Sequence, residues 1–137
     1  MNQDIFHDVV KAALEKEGLN IIDDPLYLRF GGLELYIDLG AQKLIAAQKG
    51  EEKIAVEIKR FVGNSATTEF STALGQFLKY QVALQEEQPG RILYLAIPLD
   101  TYRSFFNLEL PKILVDRYQV NLIVYDPKKQ VILTWRR

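Results

Sequence analysis

The segment RILYLAIPL, residues 91–99, is a nearly unbroken run of apolar side chains. A strand with one face in water alternates apolar and polar residues, so an unbroken run is typical of a strand covered on both faces. Helices provide that cover when they pack against the two sides of a sheet. The run therefore predicts an α/β fold in which helices flank a central sheet.

Helical periodicity recurs in three other parts of the chain. Apolar residues at helical spacing predict a helix over 4–17 that ends at Gly18, a glycine suited to a helix C-terminus. A long helix is predicted over roughly 66–87, after a break at the sequence GNS, residues 63–65. Its expected buried stripe is Phe70, Ala73, Leu74, Phe77 and Leu84. A third helix is expected to begin near Pro111.

Alternating apolar residues predict the other strands. The segments are LYLRF at 26–30, the run 33–39, a hairpin that turns at Gly50, and VNLIVYD and VILTW around a DPKK turn. The predicted order is helix, three strands, helix, strand, helix, strand, strand. We expect a central mixed β-sheet flanked by helices, with residues 1–137 as a single domain.

Composition restricts the classes of function. The chain has no cysteine, which excludes disulfides and thiolate metal sites and fits a cytoplasmic location. No apolar run approaches 18 residues, and the acidic N-terminal segment is not a secretion signal, so we expect no membrane association. The formal net charge is −1 and the pI about 5.9. Any nucleic-acid binding must therefore depend on a local basic patch, a bound cation or a partner.

Two acids and a lysine interrupt the apolar strands at positions that suggest chemistry. Asp38 and Glu57 lie on the more polar faces of their predicted strands, and Lys59 shares the face of Glu57. If the strands pair, the two carboxylates could converge on a hard cation such as Mg²⁺, with the backbone carbonyl of Ile58 as a further ligand. Lys59 would hold the attacking water or stabilise charge on a phosphate. The alternative is that all three are solvated strand residues.

Both flanking helices carry residues that could support such a site. Gln76 and Tyr80 are spaced i, i+4 on the long helix and could orient a carboxylate, a water or a phosphate. The alternative is a half-buried tyrosine beside a boundary glutamine. On the first helix, Asp8 and Glu15 share a polar face with Lys11, and one of the two acids could reach the metal. A solvated face with an ion pair is the other interpretation.

The order of these residues resembles a known superfamily. Asp38 followed by Glu57-Ile58-Lys59 resembles the D…(D/E)-x-K signature of the restriction-endonuclease-like nucleases, known as PD-(D/E)xK proteins. Gln76 and Tyr80 resemble the Q-x-x-x-Y element of several branches. The resemblance implies a restriction-endonuclease-like core and Mg²⁺-dependent cleavage of DNA phosphodiester bonds. Ile37 stands where the superfamily often has proline.

Six segments along nearly the whole chain are similar to the XisH family of cyanobacterial fdxN-element excision controlling factors. They are FHDVVKAALEKEG, YIDLGAQKLIAAQKG, KIAVEIKRFVG, TALGQFLKYQVAL, RILYLAIPLDTY and LIVYDP. The resemblance implies a role in programmed DNA rearrangement, with DNA, an XisI-type protein and a recombinase as partners. It does not imply a demonstrated reaction.

Two functional hypotheses follow. The first is a Mg²⁺-dependent DNA endonuclease that uses Asp38, Glu57, Lys59, Gln76 and Tyr80. The second is a non-catalytic accessory factor that binds DNA or recruits a recombinase or an XisI-type partner, which the acidic pI favours. Candidates for a local basic surface are Lys59, Arg60, Lys79 and Arg91. The segment LTWRR is expected to form an edge strand, through which a homodimer or partner complex could pair.

Overall fold

The computed structural model describes residues 5–45, 50–61 and 65–137. Four helices and eight strands occur in these ranges. The helices are α1 (Ile5–Lys16), α2 (Ala66–Glu87), α3 (Leu99–Ser104) and α4 (Glu109–Arg117). The strands are β1 (Asn20–Asp23), β2 (Leu26–Phe30), β3 (Leu33–Ile37), β4 (Leu39–Ile45), β5 (Gly50–Ile58), β6 (Ile92–Pro98), β7 (Leu122–Asp126) and β8 (Val131–Arg136).

Six of the strands form one mixed sheet in the order β1-β4-β5-β6-β7-β8. The neighbours β5–β6 and β6–β7 are parallel, and the other three pairs are antiparallel. Strands β2 and β3 form a separate hairpin. The predicted central mixed sheet flanked by helices is confirmed, and β8, which contains LTWR, is an edge strand as expected.

Two apolar clusters lie on the two faces of the sheet. On one face, α1 contributes Val9, Val10 and Leu14, which pack with Ile54 and the residues that alternate with it on β5. On the other face, α2, α4 and the β2–β3 hairpin pack with Ala55 and with alternate residues of β6 and β7. Strand β6 is buried from Leu93 to Pro98 because both faces are covered, as its unbroken apolar run predicted.

The prediction of one continuous strand over 33–39 is wrong. The chain bends at Asp38, so β3 ends at Ile37 in the hairpin and β4 begins at Leu39 in the main sheet. Leu35 and Ile37 pack with α2, whereas Leu39 packs with α1 on the other face. Uniform alternation conceals this change because leucine and isoleucine suit either cluster. Asp38 therefore lies at a crossing between two sheets.

Other differences concern short elements. Five strands, not three, lie between α1 and α2, because β1 is only four residues long and β4 is separate from β3. The third predicted helix is two helices, α3 and α4, and Pro111 lies in the first turn of α4. Gly50 begins β5, and the preceding turn, like residues 63 and 64 of the GNS break, lies outside the described residues. Within the described ranges, no helix is long and apolar enough to cross a membrane.

Candidate metal centre

Strand pairing places Asp38 directly against Glu57. In the antiparallel pair β4–β5, Leu39 is opposite Val56, so the residue before β4 meets the residue that follows Val56. The Asp38 N–H donates to Glu57 Oε1 at 3.3 Å, and the Ile58 N–H donates to Asp38 Oδ2 at 2.8 Å. The two carboxylates, 19 residues apart in sequence, are thereby held by the main chain of each other's segment.

Lys59 completes this group just beyond the end of β5. Its N–H donates to Ala96 O of β6 at 3.0 Å, which continues the parallel ladder past Ile58. Its ammonium Nζ lies 3.6 Å from Glu57 Oε2. The structure thus brings Asp38, Glu57 and Lys59 to one point, in agreement with the proximity predicted from sequence.

Glu57 is far more buried than its place in an alternating strand suggests. Its exposed fraction is 6%, and it is the one buried charged residue among those described. Strand β5 lies inside the sheet, and α2 covers the face on which Glu57 points. Burial, and then the negative charge of Asp38, raise the pKa of Glu57 from 4.5 to about 8, against the opposing effect of Lys59. The interpretation of Glu57 as a solvated strand residue is therefore wrong.

The long helix places Tyr80 beside the two acids. Tyr80 is buried, and its burial together with the charges of Glu57 and Asp38 raises its pKa to about 12. Gln76 lies one turn earlier on the same side of α2. The Oε1 atom of Gln76 is buried and has no hydrogen-bond partner among the described residues, which is an energetically costly state for an amide oxygen. A bound water or another donor would satisfy it.

The first helix does not bring its acids to this site. Asp8 and Glu15 are exposed on α1, which packs on the face of the sheet opposite to Glu57. Within the described ranges, no three histidine or acidic side chains come together closely enough to hold a metal. The expectation of Asp8 or Glu15 as an additional ligand is not supported by this geometry.

The suggested basic surface does not form as one cluster. Arg91 lies just before β6, beside the middle of β5 and away from Lys59. There its guanidinium donates to Ile54 O, Gln88 Oε1 and Asp23 Oδ2 at 3.0, 2.7 and 2.7 Å. Arg60 lies over the ring of Phe6 on α1, 5.8 Å from the ring centroid. Lys59 is the suggested cation whose ammonium lies against the carboxylate pair.

The donor set fits a hard divalent cation. Two carboxylates meet at one point, and burial together with the negative charge of Asp38 raises the pKa of Glu57. A Mg²⁺ ion keeps several waters and needs few protein ligands, so Asp38, Glu57 and the Ile58 carbonyl would suffice. One of its waters could donate to the buried Gln76 oxygen. The N–H groups of Asp38 and Ile58 hold the two carboxylates in place, and the sequence did not predict this. Every residue except proline carries an N–H donor, so residue identity does not show which N–H binds a carboxylate.

Comparisons with known proteins agree with the fold. Residues 1–133 match the family model described as XisH protein. The structure is similar to the crystal structure of an XisH family protein from Nostoc punctiforme PCC 73102, with 47% identity, a TM-score of 0.90, and coverage of 98% of this chain and 100% of that one. It is equally similar to an fdxN element excision controlling factor protein from Anabaena variabilis, with 46% identity, the same TM-score and the same coverage. No curated protein gives a significant match.

Proposed function

The chain belongs to the XisH family, and from that premise we propose that it is a Mg²⁺-dependent DNA endonuclease acting in the excision of a DNA element. The observation that supports the reaction is the meeting of Asp38 and Glu57 beside Lys59. The Anabaena variabilis relative is described as an fdxN element excision controlling factor, which supports the process. The assignment of the core to the restriction-endonuclease-like superfamily is part of this proposal.

Each residue has a distinct task in the proposed reaction. Asp38, Glu57 and the Ile58 carbonyl would hold Mg²⁺, which neutralises phosphate charge and lowers the pKa of a bound water. Lys59 would hold the attacking water in line with the scissile bond, or donate to an oxygen on which negative charge develops. Gln76 would orient a water through its buried oxygen. The pKa of Tyr80 is raised to about 12, so its hydroxyl keeps its proton and can serve as a donor at neutral pH.

The proposal is tested by cutting a supercoiled plasmid in the presence of Mg²⁺. Wild type should nick the plasmid, and Asp38→Asn, Glu57→Ala and Lys59→Ala should each lower the rate by about 10²-fold or more, since each removes a charge at the reacting bond. Lys128→Ala is the matched control for the lysine variant because Lys128 lies exposed in the turn between β7 and β8. Chelation with EDTA should abolish nicking by wild type.

Equal activity in Glu57→Ala and wild type would reject the metal-dependent mechanism. A contaminating nuclease would also give equal cutting in the variant and wild-type preparations, because its activity does not depend on these substitutions. Binding of Mn²⁺, followed by electron paramagnetic resonance, gives a second readout that does not depend on cutting. Wild type should bind the ion, and Asp38→Asn should bind it at least about tenfold more weakly, because it loses one of two charged ligands.

A second candidate function is that of a non-catalytic accessory factor that binds DNA or recruits a recombinase or an XisI-type protein. Two observations favour it: the formal net charge of −1, and the relative's description as a controlling factor. It predicts a purified protein that never cuts DNA but binds DNA or a partner, and for which Glu57→Ala leaves that binding intact. The predicted homodimer and cytoplasmic location are compatible with either hypothesis. Size-exclusion chromatography with light scattering would test the homodimer.

A further inference from the structure

A second polar cavity lies between α3, α4 and the end of β8. This open cavity has a volume of about 440 Å³ and is lined by Tyr102, Arg103, Phe106, Asn107, Lys112 and Arg136. Phe106 is buried and forms an apolar floor. The other five lining side chains all end in a hydrogen-bond donor, and none of the six is a carboxylate.

The cations of this cavity are available to a ligand. Arg103 and Lys112 are exposed, and their side chains make no ion pair or hydrogen bond among the described residues. Arg136 donates to Asp116 Oδ1 at 2.6 Å, so one acid offsets one of the three positive charges. The chain as a whole has 17 cationic and 18 acidic side chains, so this locally positive cavity differs from the average surface.

The donor set indicates an oxyanion with several acceptor oxygens. A guanidinium binds a phosphate through two parallel N–H groups, and a lysine adds a point charge. Phenol and amide groups donate to remaining oxygens without requiring a charged ligand. The cavity is open rather than enclosed, which suits one group of an extended ligand better than a whole small molecule.

The position of the cavity relates it to the candidate metal centre. Phe106 belongs to the apolar cluster on the sheet face toward which Glu57 points. Its ring lies 5.4 Å, centroid to centroid, from that of Phe61, which is two residues after Lys59. The cavity and the candidate metal centre therefore border the same apolar cluster on one side of the sheet.

We propose that the cavity lined by Arg103, Lys112 and Arg136 binds a backbone phosphate of nucleic acid. This proposal deepens the proposed function, because it rests on nucleic acid as the substrate class and names where the backbone is held away from the reacting bond. It also explains how a chain of net charge −1 could bind a polyanion, through a local set of donors rather than a basic surface.

Fluorescence anisotropy with a labelled DNA duplex in EDTA tests the proposal. The double variant Arg103→Glu/Lys112→Glu should bind at least about tenfold more weakly than wild type, with a salt dependence reduced by about one ion for each lost contact. Arg103→Gln/Lys112→Gln removes the two charges without reversing them. It should lose less affinity than the glutamate variant, but its salt dependence should fall by the same amount. Both substituted side chains are exposed, and unfolding midpoints near wild type would show that the fold is intact.

Lys128→Glu/Lys129→Glu is the matched control, because it makes the same change in net charge at an exposed turn between β7 and β8. An equal loss of affinity in the control and cavity variants would overturn the site, since general charge would then explain both. Inorganic phosphate should compete with the duplex for wild type. Binding of free phosphate without binding of the duplex, or no binding of either, would overturn the assignment. The assay measures binding without metal, so a failure of plasmid cutting does not alter its result.

Discussion

Replacing Glu57 with glutamine is expected to remove a pH dependence of folding that the buried carboxyl creates. In the folded protein, burial and the charge of Asp38 raise the pKa of Glu57 from 4.5 to about 8. In the unfolded chain the carboxyl loses its proton near 4.5. Between these two values the folded state holds a proton that the unfolded state has lost. The unfolding free energy must therefore fall as the pH rises.

The size of the effect follows from the two pKa values. A difference of one pKa unit corresponds to about 1.4 kcal/mol, so the interval from 4.5 to about 8 corresponds to at most about 5 kcal/mol. The stabilisation from the protonated Glu57 is fully present below pH 4.5 and lost by about pH 8. Coupling to Asp38 and relaxation of the site reduce the total, and we expect a loss on the order of 3 kcal/mol over this range.

Urea unfolding in EDTA between pH 4.5 and 8.5 measures this loss directly. The unfolding free energy of wild type should decrease across the range, whereas Glu57→Gln, which has no proton to lose, should show a much smaller slope. Glu86→Gln, an exposed position on α2, is the matched control and should retain the wild-type slope. Equal slopes for wild type and Glu57→Gln would refute the argument.

Added Mg²⁺ provides a further check of the same carboxyl. A cation that binds the ionised folded site should stabilise wild type at pH 8 by about 1.4 kcal/mol when its concentration is ten times its dissociation constant. The stabilisation should weaken as the pH falls, because protons compete for Glu57. Stabilisation of Glu57→Gln by the same amount would place the ion elsewhere.

Three further predictions use other parts of the structure. Gly75→Ala should raise the unfolding free energy by about 1 kcal/mol in urea denaturation, because an added Cβ meets open space in the middle of α2; a decrease would contradict this. Gly40→Ala should lower it by about 1–3 kcal/mol, because the added Cβ would meet the side chains of Arg91 and Asp23, and an unchanged midpoint would show that this ion pair moves freely. The difference between the ultraviolet titration curves of wild type and Tyr80→Phe should reveal a phenol that ionises near pH 12. A midpoint near 10 would show that Tyr80 is not buried beside the acids.

Much of the architecture could be predicted from local patterns. The unbroken apolar run of β6 correctly indicated a strand covered on both faces. The stripe on α2 correctly predicted the burial of Phe70, Ala73, Phe77 and Leu84, whereas Leu74, predicted in the same stripe, is only partly buried. Gly18, predicted to end the first helix, has φ +87° and lies two residues after α1 ends at Lys16. These features depend on neighbours within a few residues, so the sequence carries them fully.

The structural predictions failed where a segment packs or pairs with another segment that is distant in sequence. Strand β1 has four residues and a weak pattern, and its place at the sheet edge depends on pairing with β4. The bend at Asp38 has no local signature, since the residues on both sides alternate alike. The cavity between α3 and β8 was not predicted at all, because Arg103, Lys112 and Arg136 come from three elements and share no spacing.

By itself, the sequence determined that Glu57 and Lys59 share one side of a strand, because two residues make one repeat of β-structure, and that Gln76 and Tyr80 share one side of a helix. Only the tertiary structure decided that Asp38 meets Glu57, because antiparallel pairing of β4 with β5 sets which residues are opposite. The tertiary structure also decided the pKa of Glu57. The pKa of Glu57 rises because α2 excludes water from one sheet face, and exclusion of water is a property of the packed molecule rather than of any segment.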